Sequence, residues 1–219
     1  MNVLSGVLVI AIGLAPAPAG ELAAGLQTIA MPDNGTASWV ELASGPPVGR
    51  PFAPDVVNPF TDDPRFYAKD THLYTSVWFA GRHRKMVPFG CTTAPYYDPD
   101  PRCADGRGFH HGIDIAMPCG TRLFAGRRAR VVSNAGLGPA YGDNPVLLRN
   151  RKLGWDLVIG HTRRVYVQPG DRLHRGDLFA RASDSGAPDG CHLHFEVRAV
   201  EGGLDTARWP RPLLGLTAP

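Results

Sequence analysis

The chain lacks the features that mark several common protein classes. Beyond residue 20 it has no apolar run approaching the ~18 residues that a membrane-spanning helix requires, so the mature chain is predicted to be soluble. Of its 219 residues only 20% are charged and 43% are hydrophobic, which excludes a disordered chain and leaves enough apolar surface for one sizeable core. It also has no internal repeat and no low-complexity tract. One folded domain with additional segments is therefore expected.

Glycine and proline, in contrast, are abundant. The 26 Gly and 21 Pro residues argue against a helical bundle because both residues disrupt helix interiors. Short apolar or alternating runs separated by turn signals lie at residues 112–116, 129–132, 145–148, 157–159, 165–167, 177–180 and 193–197. Hairpin turns are expected at residues 168–171 and 174–177. The pattern predicts a mainly β fold, as an antiparallel sheet or a small barrel-like sandwich.

Two regions of the chain differ in pattern and in charge. Residues 20–81 are turn-rich and have no sustained period, which predicts an irregular linker or pro-segment before a folded domain at 82–219. Residues 1–80 contain 3 basic and 7 acidic side chains (net −4), whereas residues 81–219 contain 20 and 13 (net +7). A basic domain favours anionic partners such as an anionic cell wall, while no motif indicates nucleic acid. A solvated Arg-rich surface is the alternative.

The N-terminus and the cysteines both indicate export. The apolar stretch 3–15 is followed by Ala17-Pro18-Ala19, so residues 1–19 are predicted to be a secretory signal. Because no Lys or Arg precedes this stretch, a retained membrane anchor and a buried segment are alternatives. The four cysteines, none in a C-x-x-C pair, are Cys91, Cys103, Cys119 and Cys191. They favour two disulfides in an oxidising compartment, with three connectivities possible, over four buried thiols.

The segment around His192 and His194 carries the most chemical information. In a strand, His192, His194 and Glu196 would share one face, above an apolar layer on the other face. Such a pair of imidazoles can supply one metal ligand and one proton-transfer group, or two ligands. An exposed strand that merely contains H-x-H is the alternative.

Two further segments hold groups that metal-dependent hydrolysis uses. Gly112 and its β-branched neighbours favour a strand in which His110 and Asp114 share a face, close enough to bind one cation. His161 follows an apolar run where a strand is predicted to end. Each feature alone is commonly an ordinary part of a strand, and their occurrence together in one domain is what points to a metal site.

These residues resemble the zinc peptidases of the LytM/lysostaphin type, family M23. The resemblance rests on His110-x-x-x-Asp114, then His161, then His192-x-His194-Phe195-Glu196, and it covers roughly residues 86–200. Flanking matches lie at residues 88–90, 118–121, 170–176 and 185–186. The resemblance implies a LytM-type β fold, similar to a duplicated hybrid motif.

The resemblance also implies roles for the five residues. His110, Asp114 and His194 would bind Zn²⁺, while His161 and His192 would serve as general base and oxyanion stabiliser in an order left open. The Ile159-Gly160-His161-Thr162 stretch departs from the usual Tyr-x-His-Leu, as does the insertion at residues 91–107, so substrate preference is not transferred.

The implied activity is that of a secreted zinc endopeptidase that cuts peptide stems or cross-bridges of peptidoglycan. We expect a monomer with no nucleic-acid partner, and no membrane contact for the mature domain unless the N-terminal segment is retained. Two alternatives stay open: a non-catalytic wall-binding or amidase-activating module, and a zinc protease that acts on another secreted protein.

The assigned ligands further imply a disulfide pairing. If Asp114 and His194 meet on antiparallel neighbouring strands, Cys119 lies near residue 189. A Cys119–Cys191 bridge is then expected beside the metal site, with Cys91–Cys103 closing the other loop.

Overall fold

Short strands are the main regular elements of the described residues. A computed structural model describes residues 65–218, and this range contains thirteen strands. They are β1 (Leu73–Ser76), β2 (Phe79–Lys85), β3 (Gly90–Thr92), β4 (Gly108–His110), β5 (Ile113–Ala116), β6 (Arg122–Phe124), β7 (Ala129–Val132), β8 (Val146–Asn150), β9 (Trp155–Gly160), β10 (Thr162–Arg163), β11 (Arg172–Leu173), β12 (Leu178–Ala182) and β13 (His192–Arg198). Two 3-10 turns, Pro139–Tyr141 and Leu204–Thr206, and the single-turn helix α1 (Arg211–Leu214) complete the described elements.

Eleven of these strands form one antiparallel sheet. Its order is β10-β12-β6-β2-β5-β13-β9-β8-β7-β11, with β1 paired to β2, while β3 and β4 form a separate two-stranded sheet. The predicted mainly β, antiparallel fold is confirmed. No helix among residues 65–218 has the length and hydropathy needed to cross a membrane.

Burial follows position in the sheet. Strand β7 near the edge alternates, with Ala129 and Val131 buried and Arg130 exposed. The central strands β9 and β13 are buried at every position because both of their faces are covered. Apolar side chains on one face of β13 join the main core, where Trp78 packs edge-on against Phe195 at 5.1 Å. The other face of β13 therefore carries a layer of buried polar side chains.

The N-terminal edge of the domain differs from the sequence prediction. Residues 73–76 and 79–81, expected to be irregular, lie in β1 and β2, and β2 pairs with β5 in the middle of the sheet. β1 and β2 pair with each other, with Ser76 opposite Phe79, and the contacts that place β2 inside the sheet come from β5 and β6, 30 or more residues away. The sequence pattern of residues 73–81 shows no sustained alternation, because tertiary contacts decide strand formation here. The predicted signal at residues 1–19 and the segment up to residue 64 lie outside the described residues.

Two details of the predicted strand pattern are wrong. Residues 165–167 form no strand, because Val165 and Val167 pack on the core from an extended segment with one backbone hydrogen bond, from Tyr166 to Phe179. Residues 168–171 and 174–177 do form turns, but neither joins a hairpin. The strand between these turns, β11, pairs with β7, whereas β12 pairs with β6 and β10.

Both disulfides match the pairing expected if Asp114 and His194 meet on antiparallel neighbouring strands. Cys91 is bonded to Cys103 and Cys119 to Cys191, with Cα–Cα distances of 5.5 and 5.2 Å. The second bridge joins the chain just after β5 to the chain just before β13. It therefore clamps the end of the strand pair that carries the histidine-rich segment.

Acidification should destabilise the fold through His83, which is 2% exposed. Burial lowers the pKa of His83 to about 4, despite the hydrogen bond from its ring to the Ala80 carbonyl oxygen. The unfolded chain binds this proton below about pH 6.5, so the stabilisation is complete above that pH and is lost as the pH falls towards 4. From pH 7 to 4.5 we expect His83 to account for about 2–3 kcal/mol of lost unfolding free energy.

Urea unfolding at the two pH values measures this loss. In the His83→Gln variant the side chain does not titrate and retains a donor for the Ala80 carbonyl oxygen, so its loss should be smaller by the same amount. An equal loss in the variant and the native chain would contradict the prediction.

Candidate metal centre

Three ligand atoms converge where β4, β5 and β13 meet. The antiparallel register sets His194 directly opposite Asp114, and His110 reaches the same point from the end of β4. His194 Nδ1 lies 2.9 Å from Asp114 Oδ1 and 3.2 Å from His110 Nε2, and the last two atoms are 3.3 Å apart. All three side chains are buried.

The outer nitrogens of both ligand-forming histidines have their own partners. His110 Nδ1 donates to the Pro88 carbonyl oxygen at 3.0 Å, and His194 Nε2 donates to Glu196 Oε2 at 3.2 Å. In the neutral form of each ring, these bonds leave an unshared pair on the inner nitrogen, facing a carboxylate oxygen. Three acceptors at this separation repel one another unless a positive charge lies among them.

The donor set fits zinc. Tetrahedral Zn²⁺ with nitrogen and oxygen ligands at 2.0–2.1 Å places those ligands roughly 3.3 Å apart, close to the observed separations. A catalytic zinc site typically has three protein ligands, such as two imidazoles and one carboxylate, and keeps one position open. Further hydrogen bonds typically hold the outer atoms of those ligands, as they do here.

The electrostatics of the site also favour a cation. Burial opposes ionisation of Asp114, but His110 and His192 hold the pKa of its carboxyl well below its usual range. Burial likewise disfavours a charged His194, but hydrogen bonds with Asp114 and Glu196 raise the pKa of His194 to about 9. The site is therefore strongly attractive to positive charge.

Two glycines make room for the His194 ring. A Cβ on Gly112 would lie 2.7 Å from His194 Cε1 and 2.9 Å from the Phe195 carbonyl oxygen. Gly160 on β9 pairs with His194 on β13, and a Cβ added to Gly160 would lie 3.1 Å from the Cβ of His194. The space that Gly112 leaves between His110 and Asp114 is thus occupied by the third ligand residue.

His161 and His192 lie side by side next to these atoms. Their ring centroids are 4.3 Å apart, and His192 Nε2 is 3.8 Å from Asp114 Oδ1. Each Nδ1 donates to a carbonyl oxygen, that of Ser185 at 2.7 Å and that of Gly190 at 2.8 Å. Both Nε2 atoms are therefore left as acceptors. All five residues that the sequence singled out come together here.

The backbone at His161 has an unusual conformation. Its φ of 52° lies in the left-handed region, which few non-glycine residues adopt. The residue is held there because its N–H donates to the Tyr141 carbonyl oxygen and its own carbonyl oxygen accepts from Ser183. Burial, followed by the neighbouring histidines, lowers the pKa of His161 to about 3, so the ring is neutral at pH 7.

Several contributors to the site have no local sequence signal. Tyr141 donates to Glu196 Oε2 at 3.0 Å and accepts from Arg198 at 2.6 Å, and its ring contacts His194 edge-on. Arg198 also donates to the other oxygen of Glu196. From the loop closed by Cys91–Cys103, Tyr97 packs at 5.2 Å from the His110 ring. Only the tertiary structure brings these side chains to the site.

The remaining described histidines lie elsewhere. His72 and His174 are exposed and close to Asp70 and Asp177, and the His111 ring accepts from Arg102 at 2.9 Å. His83 is buried beside Phe79. None joins the five-residue cluster, in agreement with their assignment outside the site.

Comparison with known proteins identifies the domain. The sequence model of peptidase family M23 matches residues 108–206, which include all five clustered residues. Residues 108–206 form an M23 domain. The match begins at β4 and ends in the second 3-10 turn, so it leaves out β1 to β3 and helix α1.

Individual proteins are similar to this chain as well. The chain resembles glycyl-glycine endopeptidase ALE-1 of Staphylococcus capitis, to which it is 27% identical over 118 residues that cover 54% of this chain and 32% of that protein. The chain therefore spans about a third of that relative's length. The structure of LytU covers 60% of this chain and 83% of its own, with 26% identity and a TM-score of 0.50. The catalytic domain of lysostaphin from Staphylococcus simulans covers 61% of this chain and 92% of its own length, with 26% identity and a TM-score of 0.48.

Adding a methyl group at Gly112 should disrupt this centre. In Gly112→Ala the new Cβ meets His194 and the Phe195 backbone below 3.0 Å, and β13 cannot move because both of its edges are paired. We expect a loss of about 1–3 kcal/mol in the free energy of unfolding, measured by urea titration of the metal-free chain. Gly136→Ala is the matched control, since its Cβ would meet nothing within 4 Å. Equal stability of the two variants would contradict this account of Gly112.

Proposed function

We propose that the M23 domain is a zinc-dependent endopeptidase that hydrolyses peptide stems or cross-bridges of peptidoglycan. The observation that carries the proposal is the convergence of His110 Nε2, Asp114 Oδ1 and His194 Nδ1 within 3.3 Å, with the two other histidines beside them. The M23 match and the similarity to a glycyl-glycine endopeptidase support peptide hydrolysis as the reaction.

In this proposal, His110, Asp114 and His194 hold the metal. A zinc ion bound there supplies a Lewis acid that polarises a carbonyl group and increases the acidity of water. Glu196 is a positioning residue, since it holds the outer nitrogen of His194 and is itself held by Arg198 and Tyr141. This arrangement fixes the His194 ring with its Nδ1 towards the metal.

The paired histidines handle the protons and the developing charge. With each Nδ1–H donated to a carbonyl oxygen, Nε2 of His161 or His192 is free to accept a proton from the attacking water. The proton taken from water can then pass to the partner histidine, whose Nε2–H donates a hydrogen bond to the oxyanion or protonates the leaving amine. Both rings are held in the same tautomer, so the geometry allows either histidine to be the base that accepts the proton from water.

We also propose that the chain acts outside the cytoplasm. Two disulfides, one of them beside the metal centre, require an oxidising compartment to persist. The apolar N-terminal stretch supports the same location. The excess of basic residues in the domain suits an anionic wall.

Release of soluble muropeptides from purified sacculi by the full chain tests the function. We expect release in the presence of zinc, its loss on addition of a chelator, and a drop of at least about 100-fold in His192→Ala, which lacks one proton-transfer group. His72→Ala, which changes an exposed histidine far along the chain from the site, should act like the native chain.

The same assay separates the alternatives. Intact sacculi together with cleavage of Gly-rich peptides would indicate a protease for another secreted protein. Binding to sacculi without soluble product would indicate a wall-binding or activating module. Undiminished release by His192→Ala would contradict the proposed role of the histidine pair.

Zinc affinity tests the role of Glu196. Gln can still accept from His194 Nε2, but the neutral amide no longer increases the basicity of the ligand ring. Glu196→Gln should therefore bind zinc about 10–100-fold more weakly, measured by competition with a chelating dye. Glu201→Gln removes an exposed carboxylate and should bind zinc like the native chain. Unchanged affinity in Glu196→Gln would exclude a positioning role.

A further inference from the structure

A basic cleft lies where β7, β8 and β11 form the end of the sheet. Its volume is about 420 Å³, and the buried residues Ala129 and Leu173 are among those that line it. Five arginines line it: Arg128, Arg130, Arg149, Arg151 and Arg172. None of them is a residue of the metal centre, and none contacts the five clustered site residues.

The strand register places three of these arginines in a row. Arg130 on β7 pairs directly with Arg172 on β11 and with Arg149 on β8. Directly paired residues in an antiparallel sheet project from the same face, with Cβ atoms about 4.5–5.5 Å apart. Like charges at that separation destabilise the sheet. The fold therefore carries an unfavourable arrangement at this position.

Only part of this charge is balanced. Arg149 donates to both oxygens of Asp156, at 2.8 and 2.6 Å, and to Glu201 at 2.7 Å, while Arg151 also pairs with Glu201. Within residues 65–218, no carboxylate lies at ion-pair distance from the other three arginines of the cleft, Arg128, Arg130 and Arg172. The two carboxylates hold one guanidinium in place and leave an excess of positive charge over the cleft.

The cleft lies on the same face of the sheet as the metal centre. In the strand register, Asp156 on β9 lies opposite Arg149 on β8 and opposite Arg198 on β13. Arg198 is four residues from His194 along β13, so the two share a face. The row of paired residues thus runs from β13 across β9, β8 and β7 to β11. Four strand spacings correspond to about 19 Å across the sheet. A polymer bound at the metal centre could reach the cleft along this face.

We propose that this cleft binds a phosphate group, carried as a monoester or a diester by an anionic component of the cell envelope. Planar guanidinium groups bind phosphate oxygens in pairs of parallel hydrogen bonds. Three unbalanced arginines exceed the charge of a single carboxylate. A phosphate monoester carries ~−1.5 to −2 at pH 7, and a row of diesters in a polymer or at a membrane surface offers one charge per phosphate, so either can supply more charge than one carboxylate. A bound phosphate would relieve the repulsion between Arg130 and Arg172. The site does not depend on the proposed hydrolysis.

Calorimetric titration of the metal-free full chain with inorganic phosphate, at constant ionic strength, tests the site directly. Arg130→Gln/Arg172→Gln should bind phosphate at least about tenfold more weakly, since it loses two charged donors. Arg82→Gln/Arg164→Gln removes the same charge from exposed positions outside the cleft and should bind within about twofold of the native chain. Equal weakening in both double variants, or no binding by the native chain, would overturn the proposal.

Two further measurements sharpen the test. Without phosphate, the thermal unfolding midpoint of the cleft variant should equal or exceed that of the native chain, because a like-charge pair has been removed. A lower midpoint would assign the arginines a structural role and overturn the proposal. A tighter complex with acetate than with phosphate would also overturn it, since it would indicate a carboxylate site.

The natural carrier of the phosphate follows from two comparisons. The native chain is tested on phosphatidylglycerol against phosphatidylcholine vesicles, and on sacculi before and after hydrofluoric acid removes phosphodiester-linked polymers. If the native chain is retained on the anionic vesicles and the cleft variant is not, the result supports a lipid headgroup. If the native chain is retained on untreated sacculi, and both the acid treatment and the cleft substitutions abolish this retention, the result supports a wall polymer. Retention that the substitutions leave unchanged in every case would overturn an envelope ligand for the cleft.

Discussion

The pairing of β5 with β13 is the constraint on which the metal centre depends. Its register sets Asp114 opposite His194, and a slip by one residue would turn one of them to the apolar face. The Cys119–Cys191 bridge joins the same two strands just beyond their last paired residues. The bridge and the register therefore support each other. In the unfolded chain, the bridge also limits how far the two segments can separate.

A layer of buried polar groups is costly unless every group is satisfied, and here the satisfaction is nearly complete. Each of the four site histidines has one ring nitrogen bound to a carbonyl or carboxylate oxygen. Glu196, Arg198 and Tyr141 form a closed network behind His194. Such networks orient side chains firmly, because a rotation of one ring breaks bonds that several others require. His110 Nε2, Asp114 Oδ1 and His194 Nδ1 lie close together as acceptors, and a bound metal ion would offset their mutual repulsion.

The sheet carries two different polar regions on one face. Near β5 and β13 the polar groups are buried, mutually bonded and arranged to hold a cation, whereas near β7 and β11 they are exposed, basic and partly unbalanced. Paired residues on β13, β9 and β8 connect the two regions. In the two proposals, one sheet holds a peptide substrate at one end and an anionic group at the other.

The sequence by itself determined the chemistry of the site and the class of fold. Period-two alternation placed His192, His194 and Glu196 on one face, and the abundance of Gly and Pro predicted short strands. These conclusions hold because alternation and turn preference are local properties of the chain. The implied disulfides followed from the same motif positions.

The tertiary structure decided what depends on residues far apart in the chain. It placed residues 73–76 and 79–81 in the sheet and paired β11 with β7 rather than with its neighbour in sequence. It also brought Pro88, Ser185 and Tyr141 to the site and set Arg130 between two other arginines. Each of these contacts is set by strand register across the sheet. Register is a collective result of packing the whole core, so no single segment encodes it.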